Sequence, residues 1–221
     1  KALHYQAKRS FAQQLLVIEQ SDNHLDVTLV SDDLTTFPAT LQVTIYQFTG
    51  DILWSHKQSV IVPANASEEI FSLELANIIS LEHRDNSVIV ASLVDVKSAQ
   101  TLAQNTHFLV ANKALALQPA NIACTKIVAD EQLIVTFDTD AFVRQMYVNV
   151  SGHDGNVSGH DGNVSDNFFD LIPLLPKTIS LSLPGMSHKD ITALADRLSW
   201  RSLIDSFDHQ YAQTPHRVGI K

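Results

Sequence analysis

The sequence predicts an all-β fold of two tandem immunoglobulin-like β-sandwiches, with a short N-terminal helix and a short helix near the C-terminus. Three observations predict it. From Gln14 onward, apolar side chains recur with a period of two, as they do in half-buried strands. About seven such segments fill about 95 residues, the strand count and spacing of an immunoglobulin-like domain. A polar break at residues 111–120 then precedes a second strand series, which begins at Ile122.

The N-terminal segment differs from the rest of the chain because its apolar residues recur at a helical spacing. Leu3, Ala7 and Phe11 lie on one side of a predicted helix over residues 1–12. A helix this short is marginal in water on its own. We therefore expect its narrow apolar stripe to need a surface to lie on, such as a preceding domain.

The first strand series alternates most clearly where Leu25, Val27 and Leu29 are separated by polar residues. Gly50 predicts a hairpin turn, because glycine accepts the positive φ of tight turns, and Pro63 ends the return strand because it cannot donate to a ladder. The predicted strands of this series are Leu15–Ile18, Leu25–Leu29, Leu41–Gln47, Ile52–Val62, Ile70–Leu75, Ser87–Val94 and Thr106–Val110.

The second strand series is followed by a helix start signal. Its predicted strands begin at Ile122 and continue with Leu133–Phe137, Phe142–Val148, Phe168–Leu171 and Thr178–Leu183. The segment from Ser187 to Asp190 has the pattern of a capping box and predicts a helix that ends near Arg197. A last strand is predicted from Leu198 to Ile204, followed by a polar tail after Phe207.

Composition and charge exclude several classes of protein. Hydrophobic residues make up 45% of the chain and charged residues 18%, which argues against a disordered chain or a coiled coil. With 24 Asp and Glu against 15 Lys and Arg, the net charge of -9 would repel a phosphate backbone, so we expect no nucleic-acid partner. We also expect no membrane partner, because no apolar run is long enough to span a bilayer.

The cellular compartment is left open by the sequence, with the cytoplasm favoured. The single cysteine, Cys124, excludes an internal disulfide and predicts a small buried hydrophobe rather than a reactive thiol. The N-terminus has neither the apolar run of a signal peptide nor an initiator Met. We therefore expect a fragment or a processed chain.

An exact heptad repeat at residues 151–164 has residue types that bind metals. His153, Asp154, His160 and Asp161 combine imidazole with carboxylate, but their spacing matches neither a zinc site nor a calcium loop. We therefore predict a duplicated polar loop rather than a metal site.

No motif for nucleophilic, phosphate-binding or metal-assisted catalysis occurs in the sequence. The carboxylate pairs Asp32-Asp33 and Glu68-Glu69 are predicted in turns or at strand edges, and nothing singles either pair out for glycoside hydrolysis. We accordingly assign no catalytic, cofactor-binding or metal-ligating residue and expect no cofactor.

Two other groups of residues have both a structural and a functional interpretation. Trp54 and Trp200 are predicted to fill sandwich cores, although an aromatic ring can also stack on a sugar. Asn-X-Ser sequons predict turn residues, and they matter for glycosylation only in a secreted chain. The sequons begin at Asn65, Asn149, Asn156 and Asn163.

Five segments together resemble the C-terminal part of β-mannosidases of glycoside hydrolase family two. The first resembles the last helix of the catalytic barrel, two resemble the following immunoglobulin-like domain, and two resemble the C-terminal sandwich, of which the Asp-Asn-Phe-Phe segment is the most specific. In chain order they are Lys1–Arg9, Leu41–Trp54, Val62–Ser67, Val164–Leu171 and Arg201–Phe207.

The resemblance implies that the chain is the last two parts of a five-part enzyme. Residues 1–13 would end the barrel helix, 14–112 would form one sandwich, 113–120 a linker and 121–221 the C-terminal sandwich. The family's two catalytic glutamates lie on barrel strands, and no segment here matches them. The function implied is therefore a non-catalytic brace for the barrel of a retaining enzyme that removes terminal non-reducing β-mannose.

Two departures from the family pattern fall in loops. The loop before Asp166 is lengthened by the duplicated heptad, and the segment Leu171–Pro176 replaces the more usual Leu-Leu-Pro-Gly-Glu turn. Within the motif, we expect Asp166 and Asn167 to bond nearby backbone in a turn. Phe168 and Phe169 should point to opposite faces of a strand, with one in the core.

The partners that these interpretations imply begin with the upstream catalytic barrel of the same polypeptide. A mannose-containing glycan and a homodimer are left open. The rival functions are a carbohydrate-binding module, which needs an exposed aromatic platform, and a structural or adhesive module of a surface protein, which would be flanked by further sandwiches. The coding sequence upstream of Lys1 separates the last rival from the brace.

Overall fold

The computed structural model describes residues 2–149 and 164–206. Contacts divide the chain into two compact units, one from Leu3 to Ala116 and the other from Leu117 onward. Each unit contains two antiparallel sheets, and short helices lie at Ala2–Ser10 and His188–Asp196. This confirms the predicted fold class. In the described ranges, no helix has the length and apolar character to cross a membrane.

The N-terminal helix, α1 (Ala2–Ser10), forms where the spacing predicts it. Tyr5 is its buried side chain. The predicted apolar stripe lies on another side of the helix, since Leu3 is 80% exposed and Phe11, just after the helix, is 87% exposed. Two large apolar side chains are thus left in contact with solvent.

The first sandwich has seven strands in a three-stranded sheet of order β1-β2-β5 and a four-stranded sheet of order β4-β3-β6-β7. Positive φ angles at Asp22 (53°) and Gly50 (98°) allow the tight turns after β1 and β3. The strands are β1 (Gln14–Ser21), β2 (His24–Ser31), β3 (Phe37–Gln47), β4 (Ile52–Val62), β5 (Ala66–Glu74), β6 (Ser87–Asp95) and β7 (Thr101–His107).

The core of the first sandwich consists of the inward side chains that the alternation predicts. Leu25, Val27 and Leu29 of β2 are fully buried and belong to one cluster with the inward residues of β3 and β6. Burying each such side chain contributes roughly 1.5–3 kcal/mol. The period-two pattern of the sequence is therefore the pattern of the core.

Two predicted strand ends in this sandwich are wrong. The predicted last strand, Thr106–Val110, is observed at Thr101–His107, because the backbone after β6 turns at once. In that turn the Asp95 carboxylate accepts hydrogen bonds from the backbone N–H of Lys97 at 2.9 Å and of Ser98 at 2.6 Å. The fifth strand ends at Glu74 rather than Leu75, which begins a 3-10 turn.

The second sandwich packs two three-stranded sheets, of order β12-β9-β8 and β11-β10-β13, around one core that also includes the second helix. Phe137, Met146 and Leu181 are fully buried in it. Its elements are β8 (Ile122–Ala129), β9 (Gln132–Thr139), β10 (Val143–Asn149), β11 (Phe169–Leu171), β12 (Lys177–Ser182), α2 (His188–Asp196) and β13 (Ser199–Arg201).

The helix α2 is held at both ends. At its N-terminus the predicted cap is confirmed, because the Ser187 hydroxyl accepts from the backbone N–H of Asp190 at 3.2 Å. At its C-terminus the Lys126 ammonium of β8 donates to the carbonyl of Ala195 at 2.6 Å. A cation there also opposes the negative end of the helix dipole.

The predicted last strand, Leu198–Ile204, is too long. The strand β13 ends at Arg201, and Ile204 lies in a 3-10 turn. The Asp205 carboxylate accepts from the backbone N–H of Ser202 at 2.6 Å and from its hydroxyl at 2.9 Å. This local bonding turns the chain away from the sheet.

Candidate functional site

The most specific motif of the sequence places a polar side chain in the core of the second sandwich. Asn167 is buried, its Oδ1 accepts from the backbone N–H of Val148 at 2.8 Å, and its Nδ2 donates to the carbonyl of Val148 at 2.8 Å. The side chain thus satisfies both backbone groups of one residue in β10.

The position of Asn167 follows the register of the sheet. Met146 of β10 pairs with Phe169 of β11, so two residues further along an antiparallel ladder Val148 would be opposite Asn167. Phe168 has a φ of 54°, in the left-handed region, which takes the backbone out of the ladder. The amide side chain of Asn167 makes the two bonds that its backbone would otherwise make.

Local bonding within the motif is as predicted. Asp166 Oδ1 accepts from the backbone N–H of Asn167, and Asn167 Oδ1 accepts from that of Phe168, each at 2.9 Å. One ring enters the core as predicted, but the two rings are not on opposite faces of one strand, because β11 begins at Phe169 and Phe168 lies before it. Phe169 is buried in the core, whereas Phe168 is half-buried with its ring centroid 4.9 Å from that of Tyr147.

Charged side chains brace the strand that follows the motif. Between the pairs Val143–Leu171 and Met146–Phe169, two residues of β10 oppose one of β11, which makes a β-bulge. The Asp170 carboxylate lies opposite this bulge, where it accepts from Arg144 Nη1 at 2.5 Å and from the backbone N–H of Gln145 at 2.9 Å. The bulge residue Gln145 has a φ of 50°. The side chain of Asp170 therefore stabilises the bulge where β10 pairs with β11.

A second unusual feature is an aromatic cluster between two edge strands of the first sandwich. The rings of Trp54 and His56 in β4 stack at 5.9 Å, and His56 stacks on Phe71 of β5 at 5.3 Å. His56 Nε2 contacts Gln58 Oε1 at 3.0 Å, and Gln58 Nε2 donates to the carbonyl of Ile70 at 2.8 Å. We call Trp54, His56, Gln58, Ile70 and Phe71 the β4/β5 cluster.

The two tryptophans occupy different environments. Trp200 is buried in the second core, edge-on to Phe137 with centroids 5.4 Å apart, as the core interpretation predicts. Trp54 is half-buried in the β4/β5 cluster and packs against the first core. Part of its surface is accessible, although its ring is stacked on His56.

The titratable side chains with shifted pKa values are explained by burial or local bonding. Burial raises the pKa of the Cys124 thiol, opposed by Lys126, and the side chain packs against the second core as a small hydrophobe. Burial lowers the pKa of His107, whose Nε2 lies 3.1 Å from Gln20 Oε1. Hydrogen bonds from Ser98 lower the pKa of the exposed Asp95.

The carboxylate pairs lie where the sequence predicts them. Asp33 follows β2, and its carboxylate accepts from Gln13 and Gln14 side chains, so it fastens a loop. Glu68 and Glu69 are exposed on β5. No group of three metal-ligating residues is found within residues 2–149 and 164–206.

Several predictions fall on residues outside the described ranges. The four metal-type residues of the duplicated heptad, His153, Asp154, His160 and Asp161, lie there, as do the sequons at Asn156 and Asn163 and the tail from Phe207. The loop interpretation and the assignment of no site residue stay predictions. Of the two described sequons, Asn65 is exposed in the turn before β5, and Asn149 ends β10.

Both halves of the chain match protein-family models. Residues 23–114 match the mannosidase Ig/CBM-like domain, and residues 117–206 match an Ig-fold domain of the mannosidase type. No curated protein matches the chain significantly in sequence.

Solved structures show the same fold. A β-D-mannosidase of Dictyoglomus thermophilum superposes with a TM-score of 0.75 at 19% identity, over 92% of this chain and 23% of that one. An exo-chitosanase of Amycolatopsis orientalis superposes with a TM-score of 0.55 at 15% identity, over 90% of this chain and 26% of that one. The chain thus spans about a quarter of the length of these structures.

Fold and matches together define a class, a tandem pair of immunoglobulin-like accessory domains of glycoside hydrolases. Within that class, its two halves belong to the mannosidase Ig/CBM-like and Ig-fold domain families whose models match residues 23–114 and 117–206. The resemblance found in the sequence is confirmed.

Proposed function

We propose that this chain braces the catalytic barrel of its own polypeptide and that the whole polypeptide removes terminal non-reducing β-mannose. The observation that carries the proposal is the order and coverage of the matches. Two mannosidase-type domains match in tandem at residues 23–114 and 117–206, and 92% of this chain superposes on only 23% of a β-mannosidase. The predicted divisions at 1–13, 14–112, 113–120 and 121–221 are part of this proposal.

The helix α1, as the end of the barrel's last helix, provides the surface through which we propose that this chain packs on the rest of the barrel. Leu3 and Phe11 are 80% and 87% exposed, which is unusual for large apolar side chains on a helix beside a core. Burying both against a neighbouring domain would gain roughly 1.5–3 kcal/mol for each side chain. The basic residues Lys8 and Arg9 of the same helix would favour an acidic rim around that contact.

An activity assay on two forms of the protein tests the proposal. The parent polypeptide is expected to cleave an aryl β-mannoside, and the purified 221-residue chain is expected not to. Within the parent, replacing both Leu3 and Phe11 by Ser should lower the temperature of half-inactivation and leave KM unchanged at 25 °C.

The outcomes separate a brace from other functions. Leu34→Ser is the matched control, because Leu34 is 88% exposed on a loop and should change nothing. Cleavage by the 221-residue chain alone would disprove the non-catalytic assignment. If the parent and the Leu3/Phe11 variant have the same temperature of half-inactivation, α1 does not contribute to the brace.

Glycan binding is a second candidate function, favoured by the accessible part of Trp54 beside the polar groups of the β4/β5 cluster. Titration with mannan oligosaccharides should then change the fluorescence of the wild type and of Trp200→Phe. It should not change that of Trp54→Phe, which keeps only the buried Trp200. An unchanged spectrum in all three proteins contradicts this candidate.

A further inference from the structure

One flank of the first sandwich is formed by two edge strands, β4 of one sheet and β5 of the other. In the described residues β4 pairs only with β3, and β5 pairs only with β2, so each leaves a row of backbone groups without a neighbouring strand. The ring contacts of His56 with Phe71 and the bond from Gln58 to Ile70 hold the two edges together on the same flank. Such edges are natural sites for pairing with another chain.

The two edges have opposite charges. Strand β4 has one cation, Lys57, and contains no Asp or Glu. Strand β5 has Glu68, Glu69 and Glu74 and contains no Lys or Arg. All four charged side chains are exposed. A surface that places a cation beside anions in this way is complementary to a copy of itself.

Exposed apolar residues extend the same flank. Ile52 and Ile61, near the two ends of β4, are 54% and 59% exposed. Only Lys57, midway between them, interrupts this long edge with a charge. A partner that neutralises Lys57 would therefore also gain two apolar contacts.

A two-fold rotation about an axis parallel to the strands satisfies these features together. The strands β4 and β5 run in opposite directions, since only residues 63–65 separate them. The rotation brings β4 beside the partner's β5, again antiparallel and at the same height along the axis. Because Gln58 is level with Ile70 within one copy, Lys57 comes opposite the partner's Phe71 and diagonally across from the partner's Glu69, within reach of its long side chain.

We propose that a second copy of this chain docks on the β4/β5 flank through two equivalent β4–β5 pairings. Each pairing joins a four-stranded sheet to a three-stranded sheet of the partner. Two diagonal Lys57–Glu69 ion pairs favour this register, one at each pairing. The dimer closes on itself, so both exposed edges are covered at once.

Sedimentation velocity on the 221-residue chain tests this inference. The sedimentation coefficient should rise with protein concentration towards that of a dimer, and Lys57→Glu should raise the dissociation constant at least about tenfold, since two attractive contacts become repulsive. Glu69→Lys should do the same. The double variant Lys57→Glu/Glu69→Lys should restore dimerisation to within about threefold of the wild type.

The matched control is Glu19→Lys, which makes the same charge change as Glu69→Lys. Glu19 is an exposed residue of β1, the opposite edge of the three-stranded sheet. It should leave the dissociation constant unchanged. A chain that stays monomeric at every concentration overturns the inference. So does a dimer in which both single variants associate like the wild type, or in which the double variant fails to recover while circular dichroism shows it folded.

Discussion

Asn167→Ala is expected to lower the free energy of unfolding of the second sandwich by about 3 kcal/mol. The substitution leaves the N–H and C=O of Val148 buried without the amide that satisfies them, and each orphaned group costs roughly 1–3 kcal/mol. It also removes the acceptor for the Phe168 N–H. Urea titration in a Trp54→Phe background measures the loss, because the fluorescence then reports Trp200 in the second core.

Two further variants define the cause of this loss. Asn167→Asp keeps the size of the side chain but replaces the donor to the Val148 carbonyl with an oxygen, so it should be at least as destabilising at pH 7. Thr178→Ala removes an exposed hydroxyl bonded to Thr136 in the same sandwich and should cost less than about 1 kcal/mol. A loss below about 1 kcal/mol for Asn167→Ala would show that the two bonds do not hold β10.

The sequence predicts those parts of the fold that depend on local periodicity and turn chemistry. Leu25, Val27 and Leu29 alternate in the sequence and are buried in the structure because burial of one sheet face imposes a period of two. The hairpin at Gly50 and the cap at Ser187 are local as well. Each of these features is specified by residues that are close in the chain.

Features that depend on distant residues could not be predicted in this way. The Asn-Phe-Phe motif indicated local bonding, but the partner of Asn167 is Val148, 19 residues away, and only the register of β10 with β11 brings them together. The end of β13 was missed because Asp205 competes for the chain by local bonding, which a pattern of alternating apolar residues does not register.

The β4/β5 flank is hidden from the sequence for a similar reason. Lys57 and Glu69 are ordinary exposed residues of two strands, and only the packing of the two sheets places their edges on one flank. The sequence pattern predicts the same core position for Trp54 and Trp200. The structure distinguishes them because Trp200 is buried edge-on against Phe137 in its core, whereas Trp54 is half-buried in the β4/β5 cluster.

Asp170→Ala is expected to lower the free energy of unfolding of the second sandwich by about 3 kcal/mol. The side chains of Arg144 and Asp170 are only 16% and 10% exposed, so removing the carboxylate leaves a largely buried guanidinium without its partner. The bulge N–H of Gln145 loses its acceptor at the same time. The same Trp200 fluorescence titration in urea measures the change.

The double variant Arg144→Met/Asp170→Leu tests whether the unpaired charge causes this loss. Because replacing both members of a buried pair by apolar side chains is often nearly neutral, the double variant should be more stable than Asp170→Ala by about 1–2 kcal/mol. Lys177→Met is the exposed counterpart: its ammonium lies 2.8 Å from Asp166, the Lys177 side chain is 37% exposed, and the loss should stay within about 1 kcal/mol. If the double variant is no more stable than Asp170→Ala, the unpaired charge is not the cause of the loss. The bulge would then depend on the hydrogen bond that Asp170 accepts from the Gln145 N–H rather than on its charge.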